Sequence, residues 1–100
     1  MLNDKLQDDF NDINSICLIR KITKERNVLP SFTIYQNTVD YPNEMVIRLS
    51  FIGKTVICTN CIVKANNLAA ARKKLPIKML GLYRFPKNNK DDDSIVETWM

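Results

Sequence analysis

The stretch that most constrains the fold runs from Thr55 to Leu75, TVICTNCIVKANNLAAARKKL, because its pattern changes from strand to helix within a few residues. Its first part, Val56 to Cys58, is apolar and rich in β-branched residues, which favours a strand. The part from Lys64 to Lys74 carries small alanines on one side, as helices that pack closely on a sheet do. The sequence therefore predicts a strand followed by a helix that rests on a sheet.

Apolar periodicity predicts the other elements. Strict alternation of apolar residues over residues 45–52 is typical of a strand with one buried face. Spacings of three and four predict a helix over residues 12–25. A β-branched and aromatic run predicts a first strand at residues 32–36, before the alternating strand. A glycine turn at residues 53–54 predicts a hairpin from the alternating strand into a third strand over residues 55–59.

These elements predict an α+β fold in the order α-β-β-β-α. Two helices would pack on one face of a three-stranded antiparallel sheet, since that face is the surface on which both apolar stripes could be buried. We expect the domain to cover residues 12–85. A helical extension would precede it at residues 1–11, and an acidic spacer with an apolar tail would follow at residues 86–100.

Composition limits the classes of function. The chain has no His, which excludes Ser or Cys catalysis relayed through that side chain, and its two glycines exclude the usual Gly-rich phosphate loops. We therefore predict that the chain is not an enzyme. The net charge of +4 and the pI of about 9.1 favour polyanionic partners slightly.

The location of the protein is predicted from the same residues. No apolar run approaches the roughly 18 residues of a membrane span, and the acidic start MLNDKLQDDF is unlike a signal peptide. Three cysteines, an odd number, suggest reduced thiols. We expect no membrane association and a cytoplasmic protein, with the nucleus as the alternative.

Two clusters have a metal-binding interpretation beside a simpler one. Cys58 and Cys61 have the spacing of a zinc knuckle, but they lack a second pair of ligands, and buried free thiols are the favoured alternative. The carboxylates of residues 91–93 suit either a divalent cation or a solubilising spacer, and we favour the spacer. We predict neither a metal nor a cofactor.

The order of elements and several motifs together resemble the double-stranded RNA-binding domain. The resemblance covers about residues 12–75. It lies in Leu29, Pro30 and Phe32 at the start of the first strand, in Tyr35 near its end, and in the alanine-rich second helix, residues 64–71. It implies a non-catalytic module that recognises duplex RNA by shape and phosphate backbone.

The resemblance and the charge pattern together select the residues expected to contact RNA. They are Lys64, Arg72, Lys73, Lys74, Tyr41, Pro42 and Asn43. The alternative for the basic residues is a solvated helix face with charges that suit a helix C-terminus.

A second hypothesis is a degenerate domain of this kind that binds protein. Ile62 and Val63 stand where the family has a lysine pair, and with Leu18 and Trp99 they would form a partner surface. Such a module would form a homodimer or dock on a ribonuclease III or Dicer-type enzyme in RNA silencing. The tail that ends in Trp99 is either a docking peptide or a segment that folds back on its own domain.

Overall fold

The computed structural model describes residues 6–7, 9–87 and 93–100, which form one six-stranded sheet and three helices. In chain order the elements are β1 (Leu6–Gln7), α1 (Ile13–Arg26), β2 (Leu29–Gln36), β3 (Met45–Ile52), β4 (Val56–Ala65), α2 (Leu68–Lys73), α3 (Ile77–Leu80), β5 (Arg84–Pro86) and β6 (Ile95–Trp99). The strand order is β1-β4-β3-β2-β6-β5. All neighbours are antiparallel except β1 and β4, which are parallel.

The predicted three-stranded α-β-β-β-α architecture is wrong, although the fold is α+β. The meander of β2, β3 and β4 is present, but β6 and β5 extend the sheet beyond β2, and β1 adds to β4. The cause is the β-branched and aromatic run of β6, which pairs with backbone groups that β2 would otherwise leave open at a sheet edge. Leu6–Gln7 is likewise a strand where a helix was expected, while residues 1–5 and 8 of that extension lie outside the described residues.

Strand β4 is longer than predicted because a bulge lets it continue. The register shifts between Arg48 and Ser50 of β3, so that Leu49 faces three residues of β4. The Thr59 hydroxyl donates to the Leu49 carbonyl at 2.6 Å and accepts from the Cys61 amide at 3.1 Å. These bonds satisfy groups that the bulge removes from the ladder. Ile62 and Val63 therefore lie in a strand rather than before a helix.

Helix α2 starts later than predicted, at Leu68 rather than Lys64. The side chain of Asn67 accepts a hydrogen bond from the Ala70 amide at 2.8 Å, which is an N-cap. Pro76 then separates α2 from the short helix α3. The predicted continuous helix over residues 64–74 is thus shortened at its start by a strand.

Helix α1 confirms the helix predicted over residues 12–25. Asp12 is its N-cap and accepts from the Ser15 amide at 2.9 Å. This hydrogen bond is the main reason that the pKa of Asp12 is lowered. Asn27 ends the helix in the left-handed conformation, with φ of 53°. Within the described residues, no helix combines the length and apolar character that a bilayer span needs.

The hydrophobic core lies between one face of the sheet and the helices. We call this face the helical face and the opposite one the open face. Phe10 packs edge-on against Phe32, with ring centroids 5.2 Å apart, and the Phe10 amide donates to the Lys74 carbonyl. The rest of the core comes from alternate residues of β2, β3 and β4 and from helices α1 and α2. These residues are Ile19, Ile34, Ile47, Leu49, Phe51, Cys61, Val63, Ala65 and Ala71.

Candidate nucleic-acid interface

The helical layer concentrates positive charge. Helix α1 carries four Lys and Arg residues against the single acid Glu25, and residues 68–80 carry four more and no acid. We call the basic surface the set Arg20, Lys21, Lys24, Arg26, Lys73, Lys74 and Lys78. These charges stand on short elements that are packed on the sheet, so their backbone positions are defined by the fold.

Helices α1 and α3 join their parts of the basic surface directly. A guanidinium N–H of Arg20 donates to the Met79 carbonyl of α3. Lys24 lies four residues after Arg20 and so occupies the same side of α1. Lys78 is the neighbour of Met79 in the chain and is exposed. The two helices that this hydrogen bond joins therefore both carry exposed cations.

Most cations of the basic surface make no ion pair with a carboxylate among the residues that the structure describes. In the described part of the chain, ion pairs within 4.0 Å join Lys64 to Glu44, Arg72 to Glu97 and Lys87 to Asp93. The exposed residues Lys21, Lys24, Arg26, Lys73 and Lys78 make none of these pairs. Cations without an internal partner remain available to phosphate groups.

Arg72 is instead occupied by a buried carboxylate. Glu97 of β6 is 2% exposed on the helical face, and it accepts two hydrogen bonds from Arg72, at 2.6 and 3.0 Å. The indole N–H of Trp99 donates to the same carboxylate. The hydrogen bonds from Arg72, followed by that from Trp99, lower the pKa of Glu97 below its ordinary value despite burial. Arg72 thus connects α2 to the last strand.

The residues predicted to contact RNA are divided between the two faces. Lys64 lies opposite Val46 in the ladder, on the open face, where its ammonium is 5.3 Å from the ring centroid of Tyr41 and 3.5 Å from Glu44. Pro42 and Asn43 are exposed in the loop between β2 and β3. Arg72, Lys73 and Lys74 lie instead at the end of α2, on the helical face. A single ligand surface cannot contact the residues on the open face and those on the helical face at once.

The residues predicted to bind a partner are also dispersed. Leu18 is half-buried on α1, and Ile62 is half-buried on the open face, opposite Arg48. Val63 is fully buried in the core, so its side chain has no surface to offer. Trp99 is paired with Phe32 in the sheet, which shows that the tail folds back on its own domain.

The three cysteines differ in exposure. Cys17 and Cys58 are exposed, whereas Cys61 is buried in the core as a small apolar side chain. Among the residues that the structure describes, no three His, Cys, Asp or Glu side chains lie close enough to hold a metal ion. Of the carboxylates at residues 91–93, only Asp93 is described, and it pairs with Lys87 at 3.5 Å.

The open face contains a cleft that the sequence did not reveal. It has a volume of about 280 Å³ and lies where the β2–β3 loop meets the sheet. We call it the loop cleft, and its lining comprises Tyr35, Thr38, Val39, Asp40, Tyr41, Val46, Arg48, Ile62 and Ser94. The one signal available in the sequence was the alternation of β3, which places Arg48 on the face opposite to the core.

Comparison of the chain with protein-family models, with curated proteins and with solved structures found no match.

Proposed function

We propose that this chain is a non-catalytic RNA-binding module that contacts the phosphates of double-stranded RNA through its basic surface. The observation that carries the proposal is the group of exposed cations on α1, α2 and α3 without a carboxylate partner among the described residues. Phosphate contacts by Lys and Arg release condensed counterions and supply most of the affinity in binding that does not read sequence.

Double-stranded RNA is the ligand class that the sequence motifs favour. Leu29, Pro30 and Phe32 open β2, and the alanines at residues 69–71 lie in α2, so these parts of the motifs lie in the kinds of element that the resemblance implies. The charge assignment differs from the one made from the sequence, because Lys64 and Arg72 have internal carboxylate partners. Exposed Lys24 and Lys78 take their place in the proposal, and exposed Lys73 is retained from the prediction.

The test is a salt titration with a labelled RNA duplex of about 20 base pairs, a length that covers the site of a double-stranded RNA-binding domain. Fluorescence anisotropy should show affinity that falls steeply, as a straight line in log–log form, between about 50 and 200 mM salt. Single strands of the same sequence should bind more weakly. An absence of duplex binding at the lowest salt would overturn the proposal.

A second candidate is a module that dimerises through the open face. Leu29, Ile52 and Val56 lie in register across β2, β3 and β4 on this face. Leu29 is 63% exposed and Val56 is 62% exposed. Adjacent exposed apolar side chains suit an interaction surface, and none of these three residues is charged, so a second copy of the same row can pack against it.

Light scattering after size exclusion tests this candidate. A dimer that dissociates in the double variant Leu29→Thr and Val56→Thr would support it, because β-branched threonines keep the strands while removing apolar area. Ile13→Thr is the matched control, since Ile13 is 65% exposed on α1. A monomer at all protein concentrations would exclude dimerisation.

A further inference from the structure

The loop cleft is lined by apolar and aromatic side chains as well as charged ones. Val46 lines the cleft and is buried, and its neighbours in the ladder are Tyr35 on one side and Lys64 on the other. Ile62 and Tyr41 add apolar and aromatic surface. The volume of about 280 Å³ is just below the range of roughly 300–1,000 Å³ found for small-molecule sites. The cleft therefore suits one ring system with a small substituent.

The cleft is lined by one cation, Arg48, and one anion, Asp40, which bind ligand groups of opposite character. Arg48 is exposed, and it makes no ion pair within 4.0 Å in the described part of the chain. Its planar guanidinium suits a phosphate. Asp40 also lines the cleft, and its carboxylate can only accept hydrogen bonds when it is ionised. A complementary ligand carries an anion for Arg48 and N–H donors for Asp40.

Hydrogen bonds hold the loop that carries Tyr41 in place. The Tyr41 amide donates to both the carbonyl and the hydroxyl of Thr38, each at 3.2 Å, and the Glu44 amide donates to the Tyr41 carbonyl at 3.4 Å. The Lys64 ammonium lies over the Tyr41 ring. Aromatic surface that is held before the ligand arrives lowers the entropy cost of binding.

We propose that the loop cleft binds one nucleotide unit, with its base against Tyr35 and Tyr41 and its phosphate at Arg48. Any base can stack on aromatic side chains. A base with an exocyclic amine can also donate a hydrogen bond to the Asp40 carboxylate. A phosphorylated tyrosine also combines a ring with a phosphate, but its ring has no N–H for that carboxylate. This inference is independent of the basic surface, which lies on the other side of the sheet.

The test uses nucleotide probes and amide chemical shifts of the intact chain. Titration with AMP, CMP and UMP should shift the resonances of residues 35–48, with AMP and CMP binding more tightly than UMP. Arg48→Gln and Tyr41→Ala should each weaken AMP binding about tenfold, the size expected for one stacking or phosphate contact. Arg48 is exposed, so Arg48→Gln retains the fold, and spectra without ligand verify this.

The control is the double variant Lys24→Gln and Lys78→Gln, which should bind AMP as the unaltered chain does. Binding of a short oligocytidylate at least about tenfold more tightly than CMP would identify an unpaired strand as the source of the nucleotide, and equal affinity would identify the free nucleotide. The proposal would be overturned if no nucleotide shifted the resonances, or if Arg48→Gln left the Kd for AMP unchanged. Binding of phosphotyrosine as tight as that of AMP would also overturn it.

Discussion

Glu97 keeps its negative charge in a nearly water-free position because two neighbours donate hydrogen bonds to it. Arg72 supplies two and Trp99 supplies one. The interaction joins α2 to β6 across 25 residues of sequence, so no local pattern could predict it. Arg72 was predicted to contact RNA, but the hydrogen bonds to Glu97 make it a residue that stabilises the sheet.

Replacing Arg72 by alanine should lower the free energy of unfolding by roughly 3 kcal/mol, since a buried carboxylate then loses its cation. Urea denaturation measures this change. The neighbouring variant Lys73→Ala is the control. Its side chain is exposed and makes no ion pair among the described residues, so we expect a change within about 0.5 kcal/mol. Equal effects in the two variants would contradict the role given to Arg72.

The same carboxylate predicts how stability depends on pH. The folded-state pKa of Glu97 is below the ordinary value of 4.5, mainly because of Arg72. The contribution of Glu97 to the free energy of unfolding is therefore complete above pH 4.5, and it is lost as the pH falls through the lower folded-state pKa. Asp12 acts in the same direction through its cap. Urea unfolding at acid pH should show a shallower decline for Glu97→Gln than for the unaltered chain, and parallel curves would refute the assignment.

At the scale of elements, β6 supports both neighbouring strands. Thr98 lies between Thr33 of β2 and Phe85 of β5. Thr98→Pro removes a backbone donor from an interior strand, so it should cost at least the roughly 1–3 kcal/mol of an unsatisfied buried group. Thr98→Val is the control, because valine keeps the β-branched shape. Thermal unfolding compares the two, and equal midpoints would show that β6 is not an integral strand.

Sequence patterns predicted the elements whose periodicity is strong and local. The alternation of β3 and the spacing in α1 correspond to the observed Met45–Ile52 and Ile13–Arg26. The extension of β4 depended on the bulge at Thr59, and the pairing of β6 depended on a distant strand edge. Neither follows from local propensity, since packing and long-range pairing decide both.

For the candidate interface, the sequence predicted the presence of the cations but not their distribution. Lys64 and Arg72 are nearby in the chain, yet the bulged strand and the capped helix place them on opposite faces of the sheet. The resemblance assigned the phosphate contacts to the second helix, so it did not predict a role for the exposed cations of α1. Which charges remain without a partner could be read only from the assembled fold.

At the scale of the whole molecule, the sheet separates two chemically different surfaces. The helical face carries the basic surface, and the open face carries the loop cleft and the apolar row of Leu29, Ile52 and Val56. A ligand on one face leaves the other accessible. Duplex RNA and a nucleotide can therefore be tested separately, with variants that change one face alone.

The measurement that tests the central claim compares two variants, each of which removes two positive charges. Lys24→Gln with Lys78→Gln alters the basic surface, whereas Lys54→Gln with Lys87→Gln changes the net charge equally outside it. In a salt titration of duplex RNA binding, the first variant should weaken affinity and reduce the slope of log K against log salt by about two, and the second should change both far less. Equal losses in the two variants, or none in the first, would contradict the account.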